Sequence, residues 1–453
     1  MKLGQERLAD YKSGGPNMSK RIRVSLALLA AVCLLATSIL VGNPAAASQR
    51  QGAVVASNGA KNAAIIATTA AVLKETSEIR ELPILHPVKS GAQSRTEIER
   101  MVIRNLDDQT TPAEMHATEQ ALKKLGLAPP DFQYRTFLIK LLSEQVAGYF
   151  DPKQQEFFLA DWIDLEGQKP VMAHELTHAL QDQHFNLRRF EHWPKGDSDA
   201  ELAAHSLIEG DATLAMKIYM AKNPMVALAF VRSFGSNAMP SEVFTKAPRS
   251  LRESLVFPYQ EGLEWATVLY KSGGWTAVSH AFTALPQSTE QILHPDKYAA
   301  HEAPVKVTLP DVRAQLGTKW KRIDYNVNGE WGYYLILDQF LNSEAESKRA
   351  AAGWAGDRYE LYEGATPGDV FIAQLTAWDT ENDAREFFEA YVKRTRMRYA
   401  SAQAAEVTSS TDHHEWTTNE GGVAMELRGK RLLILEGIPG SVEAGELMRI
   451  LWQ

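Results

Sequence analysis

Cysteine is almost absent from this chain of 453 residues: the only one, Cys33, lies inside an apolar run from Val24 to Val41. A chain that loses this run has no thiol, which excludes disulfides, thiol catalysis and cysteine-ligated zinc. Val32 is larger than the small residue that lipoprotein processing requires before its cysteine, so lipidation is not expected. Any metal ion must therefore be bound by His, Asp or Glu.

An excess of positive charge is also absent, because the formal net charge is -8. Residues 1–47 carry six Lys or Arg and two Asp or Glu, so the rest has 42 basic and 54 acidic residues, a net charge of -12. Binding to the phosphates of nucleic acid needs clustered basic residues. Nucleic acid is therefore not an expected partner.

The N-terminal segment has the three-part pattern of a secretory signal. Lys20-Arg21-Ile22-Arg23 precedes the apolar run, and Ala45-Ala46-Ala47 follows it. We predict a signal peptide over residues 1–47, cleaved after Ala47, with Met18 as an alternative start. The competing interpretation is an uncleaved membrane anchor, since the run is long enough to span a bilayer. Either way the body of the protein is expected outside the cytosol, periplasmic or secreted, and a cleaved signal leaves no stable membrane insertion.

The length favours two globular units over a single core. Residues 48–63 are rich in Ala, Ser, Asn and Gly and predict a flexible leader. We predict a mainly helical catalytic domain with a short β-hairpin over residues 64–304 and a small α+β domain over residues 305–453. The fold class is therefore α+β, and the sequence leaves open whether residues 48–120 form a propeptide.

In the first unit, residues 147–150 and 156–160 flank Asp151-Pro152-Lys153 and predict the hairpin. Pro170 is favourable in the first turn of a helix, so a helix is predicted from about Val171 to Gln183. Apolar spacing predicts another helix over residues 200–220.

In the second unit, strands are predicted over residues 358–362, 369–377, 422–428 and 431–436, with helices over residues 381–399 and 442–452. This order is typical of helices packed on one face of an antiparallel sheet. His413-His414 has no partner at ligand spacing and is interpreted as a solvated loop.

His174-Glu175-Leu176-Thr177-His178 places two imidazoles four residues apart on one face of the predicted helix. That spacing allows both to reach one metal ion. Zn²⁺ lowers the pKa of a bound water and polarises a scissile carbonyl, and Glu175 beside it can move the proton. The alternative is a chance match to a five-residue pattern.

A catalytic zinc needs a third protein ligand, for which there are two candidates. His184 has the metzincin spacing, but Gln181 stands where that pattern has the Gly that turns the chain out of the helix. Glu209 follows apolar neighbours on a second helix, where a carboxylate needs a partner or a metal. Asp182 and Asp211 are candidates to orient the histidines, or are ordinary acids.

Two stretches, HELTHALQDQHF at residues 174–185 and EGDA at residues 209–212, resemble a family of exported bacterial gluzincin-like zinc metallopeptidases, many without assigned substrates. The resemblance implies a zincin-like catalytic domain with His174, His178 and Glu209 as zinc ligands and Glu175 as the base. It also implies that the hairpin edge, at Tyr149 or over residues 157–159, can hold a peptide by β-addition.

Gluzincins use a Tyr or His outside the motif to stabilise the oxyanion. Tyr259, His294 and Tyr298 are the candidates, with His294 the preferred one.

The expected function is therefore a zinc-dependent peptidase acting on proteins or peptides outside the cytosol. The alternative is a non-catalytic periplasmic binding or chaperone-like protein with a zincin fold, against which the intact Glu175 argues. The C-terminal domain is expected to bind substrate or a partner protein. The sequence predicts neither the cleavage specificity nor the oligomeric state.

Overall fold

The computed structural model describes residues 58–162, 164–235, 242–400 and 404–453. The predicted signal peptide and residues 48–57 of the predicted leader lie outside the described residues. The last residues of that leader are helical, because the first helix begins at Asn58. The leader prediction is wrong there: this Ala-rich stretch favours a helix, which buries Ile65 and Val72 in the core.

The helices are numbered in chain order, and a 3₁₀ segment, Leu187–His192, follows α5. They are α1 (Asn58–Arg80), α2 (Arg95–Gln109), α3 (Pro112–Lys124), α4 (Tyr134–Gln145), α5 (Leu165–Phe185), α6 (Ser198–Lys222), α7 (Pro224–Gly235), α8 (Glu242–Thr245), α9 (Arg249–Ala281), α10 (Thr289–Leu293), α11 (Pro295–Ala299), α12 (Arg313–Leu316), α13 (Gly329–Leu341), α14 (Glu344–Ala351), α15 (Glu381–Arg398) and α16 (Ala444–Leu451).

The strands form one three-stranded sheet of order β1-β3-β2 and one seven-stranded sheet of order β4-β5-β6-β10-β9-β8-β7. In the small sheet β1 is parallel to β3 and β2 is antiparallel to it. The strands are β1 (Lys89–Gln93), β2 (Gly148–Asp151), β3 (Glu156–Ala160), β4 (Lys321–Asn326), β5 (Trp354–Glu363), β6 (Val370–Trp378), β7 (Ala405–Ser409), β8 (His413–Thr418), β9 (Gly421–Arg428) and β10 (Arg431–Ile438).

Helix α5, which carries the histidine motif, begins earlier than Pro170 predicted. The Asp164 side chain caps it by accepting a hydrogen bond from Gly167 N at 3.2 Å. Pro170 therefore lies inside the helix, where its missing N–H leaves the Glu166 carbonyl without its helical donor. Glu166 is exposed, so water can satisfy that carbonyl.

Helices α6 and α9 approach each other closely at two glycines. A Cβ at Gly210 would lie 2.1 Å from Gly262 O, and one at Gly262 would lie 2.3 Å from Ser206 O. Neither position therefore accepts a side chain unless the helices separate. This contact fixes the helix that carries Glu209 against the helix that carries Tyr259.

The predicted α+β class is confirmed, but the C-terminal sheet is covered on both faces. Helices α13 to α15 share a core cluster with Leu432 and Ile434 of β10. Helices α12 and α16 share another with Leu433 and Leu435. The prediction of helices on one face is therefore wrong. Strand β6 is buried throughout, and its nearly continuous apolar sequence is typical of burial on both faces.

Three outer strands of this sheet, β4, β7 and β8, were not predicted from the sequence. The prediction of a solvated loop at His413-His414 is wrong, because both residues belong to β8. His414 is buried and its Nδ1 lies 2.6 Å from Glu406 Oε1. Burial alternates in this strand, but two of its three buried residues, His414 and Thr418, are polar, so a hydrophobic period does not reveal it.

The two units share one hydrophobic core. A single cluster contains Leu176 and Trp265 from the helical unit together with Trp331, Leu361 and Phe387 from the C-terminal unit. Among the described residues no single helix is both long and apolar enough to cross a membrane. One pair of helices, Ser198–Lys222 and Pro224–Ser233, has the length and composition of a membrane span when taken together, but the two are bent by 113°.

Candidate metal centre

Helix α5 directs the two motif histidines to a common point. The Nε2 atoms of His174 and His178 lie 3.1 Å apart, and their rings meet edge to face with centroids 4.7 Å apart. One turn of helix separates the residues, so both side chains leave the same face. Both rings are buried. The spacing in the sequence therefore translates into two converging nitrogen donors.

Glu209 brings a carboxylate oxygen from α6 to the same point. Its Oε2 lies 3.0 Å from His174 Nε2 and 3.4 Å from His178 Nε2. Donors held about 2.1 Å from a tetrahedral zinc ion lie about 3.4 Å apart, so the three atoms fit one ion with little adjustment. Glu209 Oε1 is buried without a hydrogen-bond partner among the described residues, which is unfavourable unless a cation balances the carboxylate.

Glu175 lies beside this cluster and is held by the small sheet. Its Oε2 accepts a hydrogen bond from Phe150 N of β2 at 3.1 Å. Its Oε1 is buried and has no hydrogen-bond partner among the described residues. Burial, reinforced by the Glu209 charge, raises the pKa of Glu175 to about 8. A carboxylate with such a pKa can both accept and return a proton near neutral pH.

The charges in the cluster are strongly coupled. Burial alone would lower the pKa of His178, but the facing Glu209 carboxylate outweighs it and raises this pKa to about 9. Burial would raise the pKa of Glu209, and the His178 charge instead lowers it to about 2. The pKa of His174 is lowered, chiefly by burial. In the metal-free cluster a proton on His178 therefore balances the Glu209 carboxylate, and a bound metal ion would take the place of that proton.

Gln181, one turn after His178, orients that histidine from behind. Its Oε1 lies 2.9 Å from His178 Nδ1. Its amide Nε2 donates to Ile208 O at 3.0 Å and to Asp211 Oδ2 at 2.8 Å. Because Nε2 must donate to these oxygens, Oε1 accepts from Nδ1–H, and the unprotonated Nε2 of a neutral His178 faces the cluster. From the sequence, Gln181 indicated only that the helix continues past His178.

Asp211 is anchored in turn by the N-terminal helix. Arg80 Nε lies 2.5 Å from Asp211 Oδ1, and both side chains are fully buried. The Arg80 guanidinium also lies over Trp275, 4.5 Å from the ring centroid, and its Nη1 donates to Ser279 Oγ at 3.1 Å. Helix α1 is therefore built into the support of the centre. Asp211 does orient a histidine, but through Gln181.

Two other sequence candidates have different roles. Asp182 Oδ1 accepts from Leu187 N at 2.8 Å and Oδ2 accepts from Gln155 Nε2, so this carboxylate joins the hairpin turn to the end of α5. His184 Nε2 lies 2.7 Å from Pro83 O in an exposed contact. Neither residue belongs to the cluster formed by His174, His178 and Glu209.

The three oxyanion candidates are placed differently. Tyr259 is fully buried and its ring stacks on His174, with centroids 6.1 Å apart and planes 28° apart. His294 Nε2 lies 2.9 Å from Glu330 Oε1, and Tyr298 donates its hydroxyl to Ala284 O at 2.7 Å. An ion pair with helix α13 holds His294, and its role at the oxyanion stays a prediction. Tyr259 is the candidate that the fold brings to the centre.

The order of the small sheet also corrects the expected peptide-binding edge. Strand β3 lies between β1 and β2, so residues 157–159 offer no free edge. Strand β2 is the edge strand beside Glu175. Its Phe150 forms a pair with Phe157 and directs its N–H away from β3 and towards Glu175.

A second group of acids, Glu290, Glu302 and Asp379, also has the spacing of a cation site. The Lys297 ammonium occupies it, at 2.7, 3.0 and 2.5 Å from the three carboxylates. This lysine joins the helical unit to the loop that follows β6. The cluster is therefore an ion-pair network between the two units.

Comparison with known proteins covers only the C-terminal unit. Residues 315–448 match a family described as a domain of unknown function, DUF8575. This range contains all seven strands of the larger sheet and does not include the candidate metal centre. No curated protein and no solved structure matches the chain.

Proposed function

We propose that the chain is a zinc-dependent peptidase that hydrolyses peptide bonds of proteins or peptides, with His174, His178 and Glu209 as the metal ligands. The observation that carries the proposal is the convergence of two imidazole nitrogens and one carboxylate oxygen within 4.8 Å of one another, all of them buried. This donor set is typical of catalytic zinc, which keeps one position open.

Zinc bound there would supply a Lewis acid that acidifies water and polarises the scissile carbonyl. Glu175 provides the general base: it accepts the proton of the attacking water and returns it to the leaving amine. The hydrogen bond from Phe150 N orients its carboxylate and leaves the other oxygen for the substrate side. Gln181 keeps His178 in the tautomer that can bind a cation.

Tyr259 is proposed to stabilise the oxyanion that develops on the carbonyl. Its ring lies against His174, so its hydroxyl is carried by a buried side chain beside the ligand set. Such a hydrogen-bond donor increases the rate because the negative charge that it stabilises exists mainly in the transition state. The edge of β2 beside Glu175 is proposed to align the substrate backbone by β-addition.

The predicted signal supports action outside the cytosol, in the periplasm or beyond the cell. A non-catalytic binding protein is the alternative from another class. Glu175 argues against it, because a protein that only binds gains nothing from a buried carboxylate with a raised pKa.

The test incubates a denatured protein substrate with the mature chain or with its Glu175→Gln variant. Mass spectrometry then identifies the peptides produced. Gln is nearly the same size as Glu, and residue 175 is not a proposed metal ligand, so we expect equal zinc content in the two proteins. New peptide termini are expected with the wild type alone. Equal zinc content with no cleavage by either would contradict the peptidase function and favour the binding protein.

A further inference from the structure

A cavity of about 380 Å³ lies where the helical unit meets the C-terminal unit. Its walls are mainly apolar: α3 contributes Leu122, α9 contributes Leu251, and α13 contributes Trp331, Leu335 and Ile336. The volume lies within the range of about 300–1,000 Å³ typical of small-ligand sites. Both units therefore line one open-mouthed cavity that is large enough for a bulky apolar group.

The cavity offers an imidazole that makes no hydrogen bond to the described residues. His205 of α6 lines the cavity and is 6% exposed. Among the described residues it has no hydrogen-bond partner. Burial lowers its pKa to about 4, so the imidazole is neutral and offers one N–H donor and one nitrogen acceptor. A ligand that fills the cavity displaces water from this imidazole and must therefore supply the hydrogen bond itself.

The cavity adjoins the candidate metal centre along two helices. On α6, His205 lies one turn before the ligand Glu209, and residues so spaced have Cβ atoms about 5–6 Å apart. On α9, Ser254 lines the cavity and Tyr259, which stacks on His174, follows five residues later. The two helices are in direct contact at Gly210 and Gly262. The cavity and the centre therefore lie along the same two helices, and the proposal requires that a side chain next to the bond held at the centre reach from one to the other.

The charges around the cavity restrict its ligand. No Lys or Arg is among the described residues that line it. Glu201 lines it, and burial raises the pKa of this acid to about 7. Asp199 also lines it, but its oxygens accept hydrogen bonds from Thr289 N and Thr289 Oγ1. Acidic ligands are therefore disfavoured, and groups that donate a hydrogen bond are favoured.

We propose that this cavity selects a tyrosine side chain of the substrate next to the scissile bond. The aromatic ring packs against the leucine and tryptophan walls, and the phenol hydroxyl hydrogen-bonds with His205. The role beside a scissile bond rests on the proposed peptidase function, whereas binding of the side chain does not. The C-terminal unit then acts in specificity through Trp331, Leu335 and Ile336.

Binding is tested on the mature chain, with its Leu and Ile methyl groups labelled, by NMR titration with N-acetyl-tyrosinamide, N-acetyl-phenylalaninamide and N-acetyl-alaninamide. We expect the methyl signals of Leu251, Leu335 and Ile336 to shift, with the tyrosine probe bound at least about tenfold more tightly than the phenylalanine probe. Ser254→Phe fills the cavity and is expected to abolish the shifts. Ser272→Phe, on an exposed part of the same helix, is expected to keep them.

His205→Leu is expected to remove the preference for the tyrosine probe while binding of the phenylalanine probe remains. Shifts that are absent in the wild type, or unchanged in Ser254→Phe, would overturn the proposal and leave a packing gap between the units.

The role in cleavage is tested with peptides that carry Tyr, Phe or Ala at the positions flanking the cleaved bond. The wild type is expected to cleave the Tyr peptides at least about tenfold faster, as kcat/KM, than the Phe peptides. Ser254→Phe is expected to lose that selectivity and to keep cleavage of the Ala peptides. Binding of the tyrosine probe without cleavage of any peptide would contradict the peptidase function and the position beside a scissile bond, while the binding result would stand.

Discussion

Arg80 and Asp211 form a fully buried ion pair between helices α1 and α6, with Nε and Oδ1 2.5 Å apart. Asp211 also accepts the amide of Gln181, which orients His178. The first helix therefore supports the candidate metal centre from 131 residues away in sequence. A removable propeptide that included α1 would take this support with it, so we infer that α1 belongs to the mature fold.

Arg80→Leu is expected to lower the free energy of unfolding by about 3–5 kcal/mol, because it leaves the buried Asp211 carboxylate without its partner. Urea denaturation measures this change. Arg135→Leu is the matched control, since Arg135 forms an exposed pair with Asp107 and should change the value by less than about 1 kcal/mol. Similar values for the two variants would contradict the assigned role of Arg80.

Gln181→Leu is expected to weaken zinc binding by about 10- to 100-fold, because His178 loses the acceptor that fixes its tautomer. Chelator competition on the purified chain measures this affinity. Gln183→Leu, two residues along the same helix in an exposed contact with His86, is expected to leave it unchanged. Loss of zinc affinity in both variants would point to a general effect on α5.

Tyr259→Phe is expected to lower kcat by about 10²- to 10³-fold with zinc content unchanged, because a donor to the oxyanion acts mainly in the transition state. Tyr298→Phe removes a hydroxyl that donates to Ala284 O and is expected to affect stability alone. A fall in kcat for Tyr298→Phe and none for Tyr259→Phe would reverse the assignment.

His294→Ala is expected to leave kcat within about twofold of the wild type and to lower stability by about 1–3 kcal/mol. It removes the ion pair with Glu330, a largely buried acid whose pKa burial raises and which is then left without this partner. Thermal unfolding and initial cleavage rates on one preparation separate the two effects. A fall in kcat of a hundredfold or more in a fully folded variant would assign the oxyanion role to His294 instead of Tyr259.

The parts of the centre that could be predicted are those encoded locally. His174, Glu175 and His178 lie on one helix, so their spacing alone places them together. Glu209 could be proposed because a carboxylate among apolar helix neighbours needs a partner. Gln181 also lies one turn after His178 in the sequence, but its role could not be predicted. The contacts of its amide to Ile208 and Asp211 are what define the tautomer of His178.

Arg80 and His205 had no local signal of their roles, because each depends on how distant helices pack. Tyr259 was one of three oxyanion candidates, and only the packing of its ring on His174 distinguishes it. The same holds for the fold. Strands β5, β6, β9 and β10 were visible from their apolar pattern, whereas β8 buries His414 and Trp416 in a polar sequence. The nearly continuous apolar run of β6 indicated the second covered face of the sheet, and the packing of α16 on that face explains it.

The most direct test of the central claim is the metal content of the purified mature chain, measured by elemental analysis for the wild type, Glu209→Ala and His184→Ala. We expect one zinc per chain in the wild type and in His184→Ala, and loss of zinc in Glu209→Ala, because Glu209 contacts both imidazoles and His184 contacts Pro83. Zinc retained in Glu209→Ala and lost in His184→Ala would identify His184, and not Glu209, as the third ligand. A wild type without zinc would contradict the metallopeptidase account.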